Sequence, residues 1–454
     1  MAVPDDTLLY YPGALAAASP GQGRLWVLST NFDRRFGVGW VSEFDVAAYL
    51  RDPTAPGPGL RRLVKVPSLG AAMVADRAGE PARHLFLSHR GHGLITQLDV
   101  GDDGSLGCGS GDGGLTSAEG AQTDCDHEHL VDLPGLFRDS VEPRHYRALF
   151  DPAALAFLPG RGDDGRGGGG GADRLLVGTL ADRGYLLALD LLDIAGSGRR
   201  LRPRSERVVR LRVGVGGLLQ VSSDELLGAG AQAPGSRDGG QILRVGLARS
   251  WSDTRVESRG VALDEPLDGE AVAALALPSP APEAATQVWA VARDPDVLFD
   301  IVLFDVVAGQ AGDAVAAGDR QPRRAWVLGG RRLPLAGVKP QALASWADED
   351  GEMLAVVGTG DDAVYFARVA AGGVRLVRRL DLADLDEMPL GGGAVALQRV
   401  DVPAPAGGSR RLLVVSLFYG HRLAVVDVNS RSPSDYALVG TARGTRLPPS
   451  RRFL

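Results

Sequence analysis

Seven short turns lie between apolar stretches, and six of them carry an ionisable pair or an Arg. Of all the residues in the chain, these are the best placed to do chemistry. They read NFDRRFGVG (31–39), RGHG (90–93), ADRG (181–184), APGSRDGG (233–240), DPDVLF (294–299), GDD (360–362) and FYGH (418–421). Arg35, Arg90, Arg183, Arg237 and Arg293 recur near equivalent positions, with Asp33, Asp182, Asp238, Asp294, Asp296, Asp361 and Asp362 beside them. A guanidinium offers a rigid fork of donors that suits an anion held bidentately. If the turns converge, Arg90, Arg183 and Arg293 arrive from three separate segments. Together with His92, Asp296, Asp361 and His421 they form the expected ligand-binding set, for a small anionic molecule. The competing reading is structural: the same Arg and Asp residues tie neighbouring units together as surface ion pairs.

Other groups are less informative. CDHEH (125–129) places Cys125, His127 and His129 close together, but structural zinc normally takes four protein ligands and no second pair is spaced to complete the set. GDDGSLG (101–107) and GSGDGG (109–114) lack the spacing of an EF-hand. No metal and no cofactor are expected. GxSxG, HExxH and the phosphate-binding GxxxxGK[ST] do not occur, and no catalytic residue is assigned. Cys108 and Cys125 lie 17 apart in one Gly-rich segment and are expected to pair. Such a bridge contributes about 3 kcal/mol in the chain-entropy model and implies an oxidising compartment. Asp45, Asp99, Asp190, Asp305 and Asp427 end successive apolar stretches and are expected to accept backbone N–H bonds in the turn that follows.

The elements that must position the turns are strands. An apolar stretch ending in a small residue, a second stretch, a polar turn and a third stretch ending in Asp recur about seven times. RLWVLSTNFDRRFGVGWVSEFDV (24–46), HLFLSHRGHGLITQLDV (84–100) and RLLVVSLFYGHRLAVVDV (411–428) show the pattern best. Self-similarity of strand–turn–strand units marks a β-propeller. The fold class is all-β: a single seven-bladed β-propeller of four-stranded antiparallel blades, spanning 1–454 as one domain. The blades fall at about 12–67, 71–133, 153–213, 217–263, 272–330, 340–382 and 394–442. In each blade the B stretch is continuously apolar, as a strand buried on both faces must be. Helical signal is confined to 45–52 and 382–388. In a propeller the A–B and C–D loops emerge on one face and the B–C and D–A loops on the other. The long insertions, a glycine tract at 160–173 and the cysteine segment at 101–128, therefore decorate the face opposite the Arg/Asp turns.

Composition narrows the partners. The net charge is −7 and the pI about 5.6. Nonspecific nucleic-acid binding, which needs clustered positive charge, is not expected. Almost every basic residue is Arg; Lys65 and Lys339 are the only lysines. No apolar run approaches the roughly 20 residues that cross a bilayer, so no transmembrane segment is expected. The opening MAVPDDTLLYYPG lacks the basic and apolar regions of a signal peptide. Either the protein is cytoplasmic or its leader is absent from this chain.

LYYPGALAAASPGQGRLWVLSTNFDRRFGVGWVSEFDV resembles the first blade of uncharacterised β-propeller lipoproteins of the myxobacterial type. HLFLSHRGHGLITQLDV, followed by Cys108 and CDHEHLVD, resembles their second blade, and VWAVARDPDVLFDIVLFD a later one. More widely the chain is similar to YVTN-type and lactonase-like propellers. The resemblance implies a periplasmic or outer-membrane-attached protein with a lipid anchor carried by a leader that this chain lacks. It carries over no catalytic residue. The function expected is a non-enzymatic ligand- or protein-binding propeller of the bacterial cell envelope, its partner an envelope protein or a small anionic ligand. One alternative is a lactonase-like hydrolase using His92, Asp296, Asp361 and His421 in the axial funnel. Another is a scaffold subunit of a larger envelope complex.

Overall fold

The computed structural model describes residues 8–443 except 20, 22, 35, 53–58, 77–80, 110–122, 161–172, 182–183, 195–197, 212, 223–224, 232–240, 247–255, 258–271, 278–286, 294–299, 310–324, 337–338, 371–372, 383–391 and 405–406. Seven antiparallel sheets form a ring. Blade 1 is built from strands A to D at Pro12–Ser19, Arg24–Ser29, Val38–Asp45 and Leu60–Pro67. Blade 7 ends the chain with Ala394–Pro403, Ser409–Leu417, Arg422–Asp427 and Ala437–Arg443. Each strand A touches strand A of the next blade, and that of blade 7 touches that of blade 1, which closes the circle.

The apolar B strands follow from this stacking. Side chains alternate between the two faces of a strand, and each blade is covered by a neighbour on both faces. Leu25 and Val27 enter the core shared with blade 7, beside Val414 and Val425. Trp26 and Leu28 enter the core shared with blade 2, beside Leu85 and Leu87. All four are fully buried, and each such side chain stabilises by roughly 1.5–3 kcal/mol. The small residue that ends the B strand also has a defined role. Ser29, Ser88, Thr179 and Ser416 are fully buried hydroxyls. Ser29, Ser88 and Thr179 accept the N–H of Tyr10, Ala72 and Tyr185, and Ser416 donates to the Pro12 carbonyl.

Blade 7 takes the four strands of its sheet from the C-terminal part of the chain. Leu9 is buried in the core between blades 7 and 1, and the Leu8 carbonyl accepts from Trp40 Nε1 and Ser42 Oγ. The N-terminal segment therefore works as a wedge at the seam.

Blade 2 departs from the expected strand D at 129–133. Strand C (Leu94–Val100) pairs at one end with Leu106–Gly107 and at the other with Leu130–Asp132, because the cysteine segment splits the outer strand. Helix is present at Val46–Arg51, capped by Asp45, within the expected 45–52; 383–388 lies outside the described residues. A helical connection between blades 2 and 3 was not expected. It comprises Leu133–Phe137 and 3-10 turns at Arg138–Ser140 and Pro143–Phe150. Its pieces, two of them with Pro134 or Pro143 in the first turn, are too short for a helical period to show, yet Leu133, Phe137 and Leu149 are buried in the core between blades 2 and 3.

Candidate functional site

Strand A begins, strand B ends and strand C begins on the same face, so the B–C turns and D–A linkers surround one mouth of the axis. Backbone strain is concentrated there. Among the described residues, every non-glycine residue with positive φ lies in these segments: Tyr11, Asn31, Arg34, Leu69, Lys339 and His421. Tyr11, Leu69 and Lys339 each immediately precede a strand A, and Gly393 takes the same left-handed conformation before blade 7. Such residues persist only where the surroundings hold them, and they gather at functional sites.

Most of the expected site residues at this mouth are engaged in holding it together. Arg90 reaches from blade 2 to Asp151 at the head of blade 3, through Nε to Oδ1 and through Nη2 to Oδ2 at 3.3 Å. Its side chain stays 46% exposed. His92 Nε2 lies 3.2 Å from Ser68 Oγ. His421 Nδ1 accepts the Tyr11 N–H at 3.0 Å while its ring stacks on Tyr10. Asp361 accepts from Tyr365 OH and from Arg379 at 2.8 Å, within blade 6. Burial, reinforced by the Asp361 carboxylate, pushes the Tyr365 hydroxyl up to about 12. Asp362 accepts the N–H groups of Gly392 and Gly393 and so fixes the linker into blade 7. Arg183, Asp296, Arg35, Arg237, Asp182, Asp238 and Asp294 lie outside the described residues, as does the side chain of Arg293. Of the three arginines, only the Arg90 side chain lies among the described residues, as one half of an interblade pair.

His89, directly before Arg90, is fully buried and hydrogen-bonded to Thr96 through Nε2. Burial, aided by the nearby His92, pushes its pKa down to about 3, so it is a neutral core histidine.

The mouth also holds a group that charge-based reading misses. Tyr10, Tyr11, Phe36 and Trp40 form a buried aromatic cluster with Phe418 against it. Phe32 packs 6.0 Å from Tyr11 and 5.6 Å from Phe418, and Tyr419 packs 5.2 Å from Phe418. The outer rings stand free of the cluster on their other side: Phe32 is 59% and Tyr419 52% exposed. A Cβ added to Gly13, the second residue of strand A in blade 1, would meet Thr30 Cγ2 at 2.4 Å and Phe418 Cε2 at 3.8 Å. That places the platform at the head of the innermost strand, beside the axis. The signal in the sequence is modest: YY, NF and FY at turns, in a chain only 6% aromatic.

The opposite face carries a second polar constellation, next to the disulfide. Cys108 and Cys125 are bonded to each other as expected. They are not at the surface: both are buried in the core between blades 1 and 2 with Trp26, Val64, Val66 and Leu98. Asp124 pairs with the Lys65 backbone on strand D of blade 1, donating to its carbonyl at 3.0 Å and accepting its N–H at 2.7 Å. Next to the bridge, His129 lies between two carboxylates, with Nδ1 2.7 Å from Asp126 and Nε2 3.1 Å from Asp99. Asp99 also meets Arg200 of blade 3 at 3.0 Å, while His84 contacts Asp76 at 2.9 Å. Burial opposes a charge on His129, but the two carboxylates outweigh it and raise its pKa. Asp99 and Asp126 are lowered: burial opposes this, and the bonds to His129 decide it.

Cys125 is spent in the bridge and His129 in ion pairs, so CDHEH serves as a clamp; among the described residues no cluster of three or more ligating side chains is set to hold a metal. The aspartates that end C strands are only partly turn acceptors. Asp45 accepts the Ala48 N–H and Asp427 the Asn429 N–H, but Asp99 and Asp190 pair with Arg200 and Arg174, and Asp427 also with Arg410. The Asp305 side chain is outside the described residues.

No family model matches the chain, and no curated protein sequence matches it. Solved structures do. The periplasmic gluconolactonase PpgL of Pseudomonas aeruginosa is 16% identical, with a TM-score of 0.50 over 82% of this chain and 85% of that one. A Lactobacillus plantarum protein is 14% identical, with a TM-score of 0.48 over 82% and 84%. The WD40 domain of Toxoplasma gondii coronin is 11% identical, with a TM-score of 0.45 over 91% and 84%. The likeness to PpgL concerns the fold alone, a β-propeller. No helix among the described residues is long and apolar enough to cross a membrane.

Proposed function

We propose that this propeller is a non-enzymatic binding module of the bacterial cell envelope that takes its ligand at the B–C mouth, beside the seam between blades 7 and 1. The observation that carries this reading is the exposed pair Phe32 and Tyr419, seated on a rigid aromatic base where the strained backbone gathers. Two of the four large apolar side chains exposed among the described residues each pack against Phe418 there. Rings pre-ordered by packing lose little entropy on binding. Arg90, half-exposed while paired with Asp151, supplies a charge-assisted contact to any anionic group on the ligand; Arg183 and Arg293 are proposed to join it. Placement in the envelope is supported by the disulfide, which persists in oxidising compartments. The lipid anchor that the resemblance implies is proposed with it, and cell fractionation of the native protein tests both.

The test of the function is a ligand-observed NMR screen of small polar molecules against the wild type and the Phe32→Ala/Tyr419→Ala double variant. Ligands bound by the wild type and lost in the variant, at an unchanged melting temperature, support the reading. Hits that bind both proteins equally sink it. The second reading, a lactonase-like hydrolase, draws on the fold shared with PpgL, described as a gluconolactonase. It is tested by following δ-gluconolactone hydrolysis above the uncatalysed rate with the wild type, His92→Ala and His421→Ala.

A further inference from the structure

We infer that the platform formed by Phe32, Phe418 and Tyr419 takes a carbohydrate chain, one pyranose ring laid on an exposed aromatic face. This rests on the binding reading above and names its ligand. Three observations lead to it. The first is size. Two half-exposed rings offer roughly 200 Å² of apolar surface. A stable protein interface needs about 800 Å² from each partner, so the patch is far too small to anchor a protein but suits one or two sugar rings.

The second is ring chemistry. An aromatic face is electron-rich and attracts the weakly positive C–H groups on one side of a pyranose, while the sugar hydroxyls stay at the edge and need polar partners. Such partners adjoin the platform. Asp33 and Arg34 follow Phe32, the former half-buried and bonded to Tyr10 OH, the latter exposed. A Cβ on Gly91 would lie 3.3 Å from Arg34 Nη2, so the guanidinium extends over the B–C turn of blade 2.

The third is rigidity. Tyr419 lies against Gly393, whose added Cβ would come within 2.5 Å of the ring. Asp362 holds Gly393 in turn. Phe32 is braced by Tyr11 and Phe418. A nucleobase would also stack on such rings, but a nucleic-acid strand brings a polyanion to a chain of net charge −7, which disfavours it.

The experiment is isothermal titration and saturation-transfer NMR of the full chain with maltotriose, cellotriose and chitotriose, with N-acetyltryptophanamide as a non-sugar aromatic probe. At least one trisaccharide is expected to bind, with saturation greatest on ring C–H protons. Phe32→Ala and Tyr419→Ala should each weaken it about five- to hundredfold, the span seen when a stacked ring is truncated. Tyr419→Phe should retain most of the affinity, and melting temperatures should stay unchanged, since both rings are exposed. Binding of no trisaccharide overturns the carbohydrate assignment, as does binding that survives both alanine variants. If only N-acetyltryptophanamide binds, and Phe32→Ala abolishes it, the carbohydrate assignment falls while the mouth remains a binding site. If none of the probes binds, both fall.

Discussion

Replacing Cys108 and Cys125 together by alanine tests whether the cysteine segment is part of the propeller core. The bridge spans a sequence separation of 17, and closing a loop of that size removes about 3 kcal/mol of entropy from the unfolded chain. Both sulfurs are also buried between blades 1 and 2, so truncation gives up packing worth about 1 kcal/mol or more. The expected loss is about 3–5 kcal/mol. Unfolding entropy scales with chain length, and for a cooperative unit of this size each kcal/mol lowers the melting temperature by about 1 °C. The double variant should therefore melt about 3–5 °C below the wild type in a calorimetric scan. Hydrogen exchange should quicken at Lys65 and Asp124, whose backbones are paired across the two blades. A melting temperature within 1 °C of the wild type, with protection at Lys65 unchanged, would refute the reasoning and leave the bridge as a tie within a detached loop.

Further expectations follow from the same geometry. His129 has a raised pKa, so its contribution is complete below its unfolded value of about 6.5 and is lost as pH climbs through the folded value; Asp99 and Asp126 are lowered, so theirs is present above about 4 and lost on acidification. Melting curves against pH should fall on both sides, and His129→Gln should flatten the alkaline limb; an unaltered limb would show that another group governs it. Arg90→Ala and Asp151→Ala should be coupled by only about 0.5–1 kcal/mol in a double-mutant cycle, because the Arg90 side chain is nearly half exposed. Gly214→Ala should cost about 1–3 kcal/mol or prevent folding, since the new Cβ would sit 1.9 Å from the Leu180 carbonyl oxygen; wild-type stability in that variant would mean that the junction of blades 3 and 4 relaxes freely.

The periodic pattern of the sequence determined the all-β class, the seven blades and their order, because a strand packed between two neighbours must be apolar at every position. RLWVLS, HLFLSH and RLLVVSL state that requirement locally. Two thiols close together in a single loop likewise announced their own pairing. Other features depend on where distant segments land. Tyr10 and Tyr11 meet Phe418 and His421 only because the circle closes, and nothing near residue 11 reports a partner some 410 positions away. The His129 pKa is raised, against burial, because Asp99 reaches it from a strand 30 residues earlier and Asp126 bonds its other nitrogen. Arg90 pairs with Asp151 across a blade boundary, a contact that the turn sequence permits but does not specify. The sequence also could not show that Phe32 and Tyr419 stay exposed while Tyr11, Phe36 and Trp40 are buried. Aromatic side chains of similar hydrophobicity part company there, and only the position of the mouth relative to the axis decides which of them face water.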